Sequence, residues 1–355
     1  MSSSAAAVPH RANPHGSGGQ AIPALGTMFG RLWSSTGETR AARSVHYFGW
    51  IELALGLIFL FAPARIASVL HLPALSGPDA GYFRLVGMLI CGLGILYVVS
   101  GRLSAQGFVL ASLLDRPLVP LLMAVLWYGH ILPGPLAVAF SISDFGSFLW
   151  TLLACRADAR DGLNIGGPPF QGQSRAARSV EVLGWIFLVS GLLILVAPCW
   201  TASLLQLPTV VVNHPNYFPL AGLLVGGMGV LYLVSGSLNS TGAVFAALLT
   251  YPPALIVVAI LWHKAIIPGS LAGVISMAAF LALAWILLAW HADRRHGTDP
   301  VRAPLMAEWI AGFFGFVSGV VRNARIFHPD GRVLRGTVRS LNPPDAGQAR
   351  AAAQL

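Results

Sequence analysis

An acid and a base stand side by side in "ASLLDRPLVP", residues 111–120, inside an apolar run over about 107–128. A guanidinium holds acceptors through fixed donors and a carboxyl can carry a proton, so Asp115 and Arg116 have the chemistry to bind a polar ligand or relay protons. Two further acids share such surroundings: Glu52 in an apolar run over about 45–63 and Asp144 in one over about 133–155. An unpaired charge in mid-bilayer costs on the order of 3 kcal/mol on insertion scales, so residues of this kind are expected to find a partner or water.

Counting along helices places the four together. The runs holding Arg116 and Asp144 turn near His130, before Pro133-Gly134, with Arg116 fourteen residues before the turn and Asp144 fourteen after it. At about 1.5 Å per residue both lie roughly 20 Å from the turn, and an ion pair across the hairpin is expected. Glu52, nine residues past Arg43, and Asp115, nine past Gln106, reach the same layer, about 13 Å from the other face. Three readings of this buried polar cluster stay open: a structural ion pair, a proton or cation pathway or polar ligand pocket, and an interaction surface. Arg84, at the start of the apolar run over about 83–100, is a further candidate ligand contact.

The elements that must position these residues are membrane spans. Hydrophobic residues make up 55% of the 355 positions and charged residues 10%, with a mean hydropathy of +0.71; soluble domains of this length rarely have such a profile. The net charge of +9 does not point to nucleic acid, because no basic run alternates with stacking aromatics. The basic residues flank apolar runs instead. Eight such runs, over about 45–63, 83–100, 107–128, 133–155, 180–198, 218–235, 242–262 and 268–290, are each long enough to cross a hydrocarbon core of about 30 Å as a helix.

The eight runs are one unit written twice. "AARSVHYFGWIELALGLIFLFAP" at 41–63 lies over "AARSVEVLGWIFLVSGLLILVAP" at 176–198, and "YFRLVGMLICGLGILYVVSG" at 82–101 over "YFPLAGLLVGGMGVLYLVSG" at 217–236. The fold class expected is an all-α integral membrane protein of two parallel-repeat four-helix transmembrane bundles. The chain divides into a disordered tail at 1–40, repeat 1 at 41–155, a linker at 156–175, repeat 2 at 176–291 and a tail at 292–355. Repeat 2 carries Phe187, Thr250, Tyr251 and Ala279 where repeat 1 has Glu52, Asp115, Arg116 and Asp144, and Pro219 where repeat 1 has Arg84. A fold of this type does not need the charges, which favours a functional role for them.

Arg31, Arg40 and Arg43 precede the first run, Arg156, Arg160, Arg175 and Arg178 fill the linker, and Arg294, Arg295 and Arg302 follow the last, against Arg65, Arg84 and Lys264 on the other face. Both termini are therefore expected in the cytoplasm, with the first run serving as an uncleaved signal anchor. The stretches 64–73 and 199–208 are either short surface helices stopped by proline or extended loops. Glycines such as Gly87 and Gly222 suit close helix packing. Trp127, Trp150, Trp262, Trp285 and Trp290 suit interfacial anchoring. Cys91, Cys155 and Cys199 are isolated and point to packing rather than to a disulfide or metal site.

The tail adds an apolar stretch at 305–321, read as an interfacial or partner-bound helix rather than a ninth span, and then "RNARIFHPDGRVLRGTV" at 322–338. The spacing of Arg325, His328, Gly331 and Gly336 resembles the opening of haem catalases. That resemblance implies a haem-facing histidine at His328 and a propionate contact at Arg325, and the chain ends before the tyrosine that would ligate iron. Haem is thus only an alternative; the residues themselves predict no cofactor and no metal site.

The pattern of "AP", "LP", "YF", "GLG" with "LY", and "SG" within 62–101, with Arg116 and Asp144 in the third and fourth runs, resembles the small four-span bacterial proteins grouped as DoxX-like. Over about 41–155 and again 176–290 the resemblance implies a bacterial inner membrane and association with redox or respiratory partners. The leading expectation is a non-catalytic scaffold or accessory subunit in the lipid bilayer, anchoring a membrane or redox protein partner. The alternatives are a transporter or proton-conducting module using the charge cluster, and a fragment of a membrane-anchored haem protein.

Overall fold

The computed structural model describes residues 22–34, 39–73, 75, 78–163, 173–207 and 217–296, all within one compact unit, Met1–Phe314. These residues form helices and turns and no strand. In order they are α1 (Leu25–Ser34), α2 (Arg40–Phe61), α3 (Pro63–Val69), α4 (Pro78–Arg102), α5 (Gln106–Tyr128), α6 (Gly134–Arg160), α7 (Arg175–Val196), α8 (Pro198–Leu204), α9 (Phe218–Ser237), α10 (Thr241–His263) and α11 (Gly269–His296). Eight of them, α2, α4, α5, α6, α7, α9, α10 and α11, are long and apolar enough to cross a membrane. Large apolar side chains such as Phe61, Leu121, Ile142 and Leu288 point outward, as a lipid-facing surface requires. The protein is an all-α integral membrane protein.

The polar starts of α2 and α7 are helical as well, because each is capped. Thr39 and Ser174 sit in extended conformation and accept hydrogen bonds from the backbone N–H of Ala42 and Ala177, which carries α2 and α7 back to their arginines. The stretches left open between loop and helix hold the short helices α3 and α8. Pro63 and Pro198 start these helices, since a first-turn proline gives up an N–H that has no acceptor there. Within the tail expected to be disordered, residues 25–34 form α1, whose Met28 is buried and whose Phe29 ring lies 5.0 Å from that of Phe245. Packing an apolar face onto the bundle overrides the polar composition around it.

Each half is closed by an aspartate near its end. Asp158 on α6 accepts hydrogen bonds from the backbone N–H of Arg40 (3.1 Å) and Ala41 (2.9 Å). Asp293 on α11 does the same for Arg175 (3.1 Å) and Ala176 (2.8 Å). A buried carboxylate thus sits on the positive end of the first helix of each half.

Within each half, α2 packs on α4 and α7 on α9 through glycines. A Cβ on Gly49 would come within 2.5 Å of the Val98 nitrogen, and one on Gly56 within 2.5 Å of the Cys91 nitrogen. The two four-helix sets also interlock: across the seam α5 packs on α9 and α10 on α4, while α4 and α9 meet between them. At one end of this seam the rings of Phe83 and Tyr217 are 4.9 Å apart and those of Tyr82 and Phe218 5.5 Å. Of the five tryptophans expected as anchors, Trp127, Trp150, Trp262 and Trp285 are exposed. Trp290 is buried against Phe245, because its place on α11 turns it into the bundle.

Candidate functional site

Four helices of the first half converge on Arg116. Helix α5 supplies Asp115 and Arg116, α2 supplies Phe48 and Glu52, α4 supplies Tyr97, and α6 supplies Asp144, Ser147 and Thr151. Arg116 is wholly buried. Its Nη1 donates to the Ser147 carbonyl at 2.9 Å and to Thr151 Oγ1 at 2.7 Å. The guanidinium carbon lies 4.3 Å from the centre of the Phe48 ring and 4.8 Å from that of Tyr97, close enough for cation–π attraction.

The expected ion pair between Arg116 and Asp144 is not formed. No carboxylate oxygen of the cluster comes within 4.0 Å of the guanidinium. Equal depth places the two residues in one layer but does not aim them at each other. Ser147 and Thr151, one and two turns further along α6, present neutral acceptors that take Nη1, and the two rings lie against the guanidinium. Thr151 Oγ1 lies 3.1 Å from Ser44 Oγ, which donates to the Ala41 carbonyl at 2.8 Å. A polar line therefore runs from Arg116 to the residue that Asp158 caps.

The layer is not paired off internally. Arg116 Nε and Nη2 are buried with no hydrogen-bond partner among the described residues. Glu52 and Asp115 are buried and form no hydrogen bond with any described residue, and Asp144 is half-buried on the side of α6. The charges still act on one another: Arg116 attracts all three carboxylates, and Asp144 repels Glu52 and Asp115. Pro117 and Pro120 lie within α5 and lack N–H groups, so the carbonyls of Leu113 and Arg116 lose their helical donors, adding acceptors to the same level.

Asp115 also reaches the seam between the halves. A Cβ on Gly227 of α9 would stand 3.3 Å from Asp115 Oδ1, and in the matching place a Cβ on Gly92 of α4 would stand 3.3 Å from the Thr250 methyl. In the second half Leu183, Phe187, Tyr251, Ala279, Ala282 and Ile286 replace Phe48, Glu52, Arg116, Asp144, Ser147 and Thr151, and only Tyr232 matches Tyr97.

The structure thus brings Glu52, Asp115, Arg116 and Asp144 together and sets Arg84 apart. Arg84 lies on the second turn of α4 and lines a separate groove. Arg325 and His328, with the stretch 305–321, lie outside the described residues. Sequence reasoning did not single out Phe48, Tyr97, Ser147 or Thr151. A signal for two of them exists: Asp144, Ser147, Thr151 and Asp158 recur at intervals of three, four and seven, one polar stripe along an apolar helix. Cys91, Cys155 and Cys199 are free thiols.

Fold and site together define an integral membrane protein with eight helices, among the described residues, long and apolar enough to span a membrane, and a buried charge layer in its first half. No family model, no curated protein and no solved structure matches the chain.

Proposed function

We propose that the first half is a proton-handling module, with Glu52, Asp115 and Asp144 as exchangeable carriers and Arg116 as the fixed cation among them. The observation that carries this reading is the unsatisfied state of the layer among the described residues: a guanidinium edge of Arg116 without a hydrogen-bond partner and two buried carboxylates without hydrogen bonds. A structural lock would pair these groups. One guanidinium offsets one carboxylate, and the charge of the other two must be balanced by protons, water or a bound cation. The second half keeps its helices and packing without any of the four charges, so folding does not explain them.

The distribution of arginines supports a bacterial inner-membrane location with both termini in the cytoplasm, as the DoxX-like pattern implies. The matching halves support an origin by tandem duplication. Proton flux into liposomes under an imposed gradient tests the function. Glu52→Gln, Asp115→Asn and Asp144→Asn should each lower the flux about tenfold or more while leaving the protein folded. Wild-type flux in all three variants would falsify the reading.

The accessory-subunit reading has one observation in its favour. Asp144 is half-buried on α6 beside Ile142 and Phe145, both largely exposed, and a carboxylate at that place suits a partner helix better than lipid. Stable co-purification with a membrane or redox protein, lost on Asp144→Leu, would support it.

A further inference from the structure

Arg84 is a second unused cation, remote from the charge layer. It is half-buried and forms no hydrogen bond or ion pair with any described residue. A guanidinium held this way is a ready site for an anion. It opens on a groove of ≈ 680 Å³ between the first turns of α4 and the turn joining α10 to α11, so the two halves build it together.

The rest of the lining is mainly apolar. Ala80, Ile266, Ile267 and Pro268 form its walls, and Trp262, 60% exposed, stands at the rim. The groove lies where α4 begins and α10 ends, the level at which spanning helices emerge from hydrocarbon into headgroups. Lys264, exposed beside the lining residue Ala265, adds a second positive charge to this end. One cation above apolar walls, flanked by an interfacial tryptophan, matches an amphipathic anion. A free inorganic anion would gain nothing from the walls.

We propose that this groove binds one anionic phospholipid, its phosphate on Arg84 and the start of its acyl chains along Ile266 and Trp262. The corresponding position of the second half is Pro219, which offers no cation. The lipid would brace α4 against the turn between α10 and α11, and so join the two halves at the face opposite the arginine-rich one.

Native mass spectrometry of the full chain in detergent, titrated with phosphatidylglycerol, tests this. The wild type should retain one copy, and Arg84→Gln should lower the apparent affinity about fivefold or more, while Arg65→Gln, on the same face, should change nothing. Trp262→Ala should weaken binding without removing charge, and it decides the matter if Arg84→Gln does not fold. Wild-type affinity in folded Arg84→Gln overturns the proposal. So does phosphatidylcholine binding as well as phosphatidylglycerol, or displacement of the lipid by millimolar inorganic phosphate. None of these outcomes bears on the proton-handling module.

Discussion

Arg116 and Thr151 are joined by a 2.7 Å hydrogen bond between α5 and α6, and this bond stands where an ion pair with Asp144 was expected. A hydrogen bond to a buried charged group contributes about 1.5–3 kcal/mol. Thr151→Val should therefore lower unfolding stability in detergent by about that amount. In an Arg116→Met background, where no guanidinium remains to be satisfied, the same change should cost at least about 1 kcal/mol less, since only the contact with Ser44 is then lost. Equal costs in the two backgrounds would show that Thr151 does not act through Arg116. Ile286 fills the corresponding place in the second half, so an apolar residue is compatible with the helix itself.

Asp158 and Asp293 predict a matched pair of losses. Each accepts two backbone hydrogen bonds at the start of the first helix of its half. Replacing either by alanine leaves buried N–H groups open and removes a charge from a helix N-terminus, costing about 2–4 kcal/mol. The two carboxylates cap different helices, so the double variant should lose the sum of the single losses to within about 0.5 kcal/mol in an unfolding titration. A double variant no worse than either single one would mean that the halves do not close independently.

The spans were legible from hydropathy alone, and so was the common depth of Glu52, Asp115, Arg116 and Asp144, since rise per residue fixes level. Azimuth was not. Whether Arg116 meets Asp144 or Thr151 depends on how α5 and α6 turn about their axes, and that is set by the aromatic rings of Phe48 and Tyr97 on two other helices. The capping aspartates were missed because Asp158 and Asp293 lie in polar stretches past the apolar runs, where an acid is unremarked. Their signal was there: Asp158 and Asp293 are equivalent in the two halves, while the acids of the charge layer have no counterpart.

Glycine positions separate close approach from open surface. A Cβ on Gly56 would meet the Cys91 backbone nitrogen at 2.5 Å, whereas one on Gly273 meets nothing within 4 Å. Gly56→Ala should push α2 off α4 and cost about 2 kcal/mol or more. Gly273→Ala should leave stability within about 1 kcal/mol of wild type, on the stabilising side, because alanine is the better helix former. Melting of the two variants in one detergent checks both, and equal effects would contradict the packing of α2 on α4.

The seam offers the sharpest test of whether the charge layer works. Gly227 and Gly92 occupy matching places, and a Cβ at either would stand 3.3 Å from a residue of the opposite half. At Gly227 that neighbour is the Asp115 carboxylate, and at Gly92 it is the Thr250 methyl. Alanine at either position asks for a similar small displacement, so the two variants should melt within about 1 kcal/mol of each other. Their effects on function should differ. Gly227→Ala shifts a carrier carboxylate and should lower proton flux in liposomes about threefold or more, since displacements well under 1 Å matter where groups exchange protons. Gly92→Ala moves only a methyl group and should leave flux unchanged. If the two substitutions alter flux alike, Asp115 has no special part in it, and the unpaired charges of the first half need another explanation.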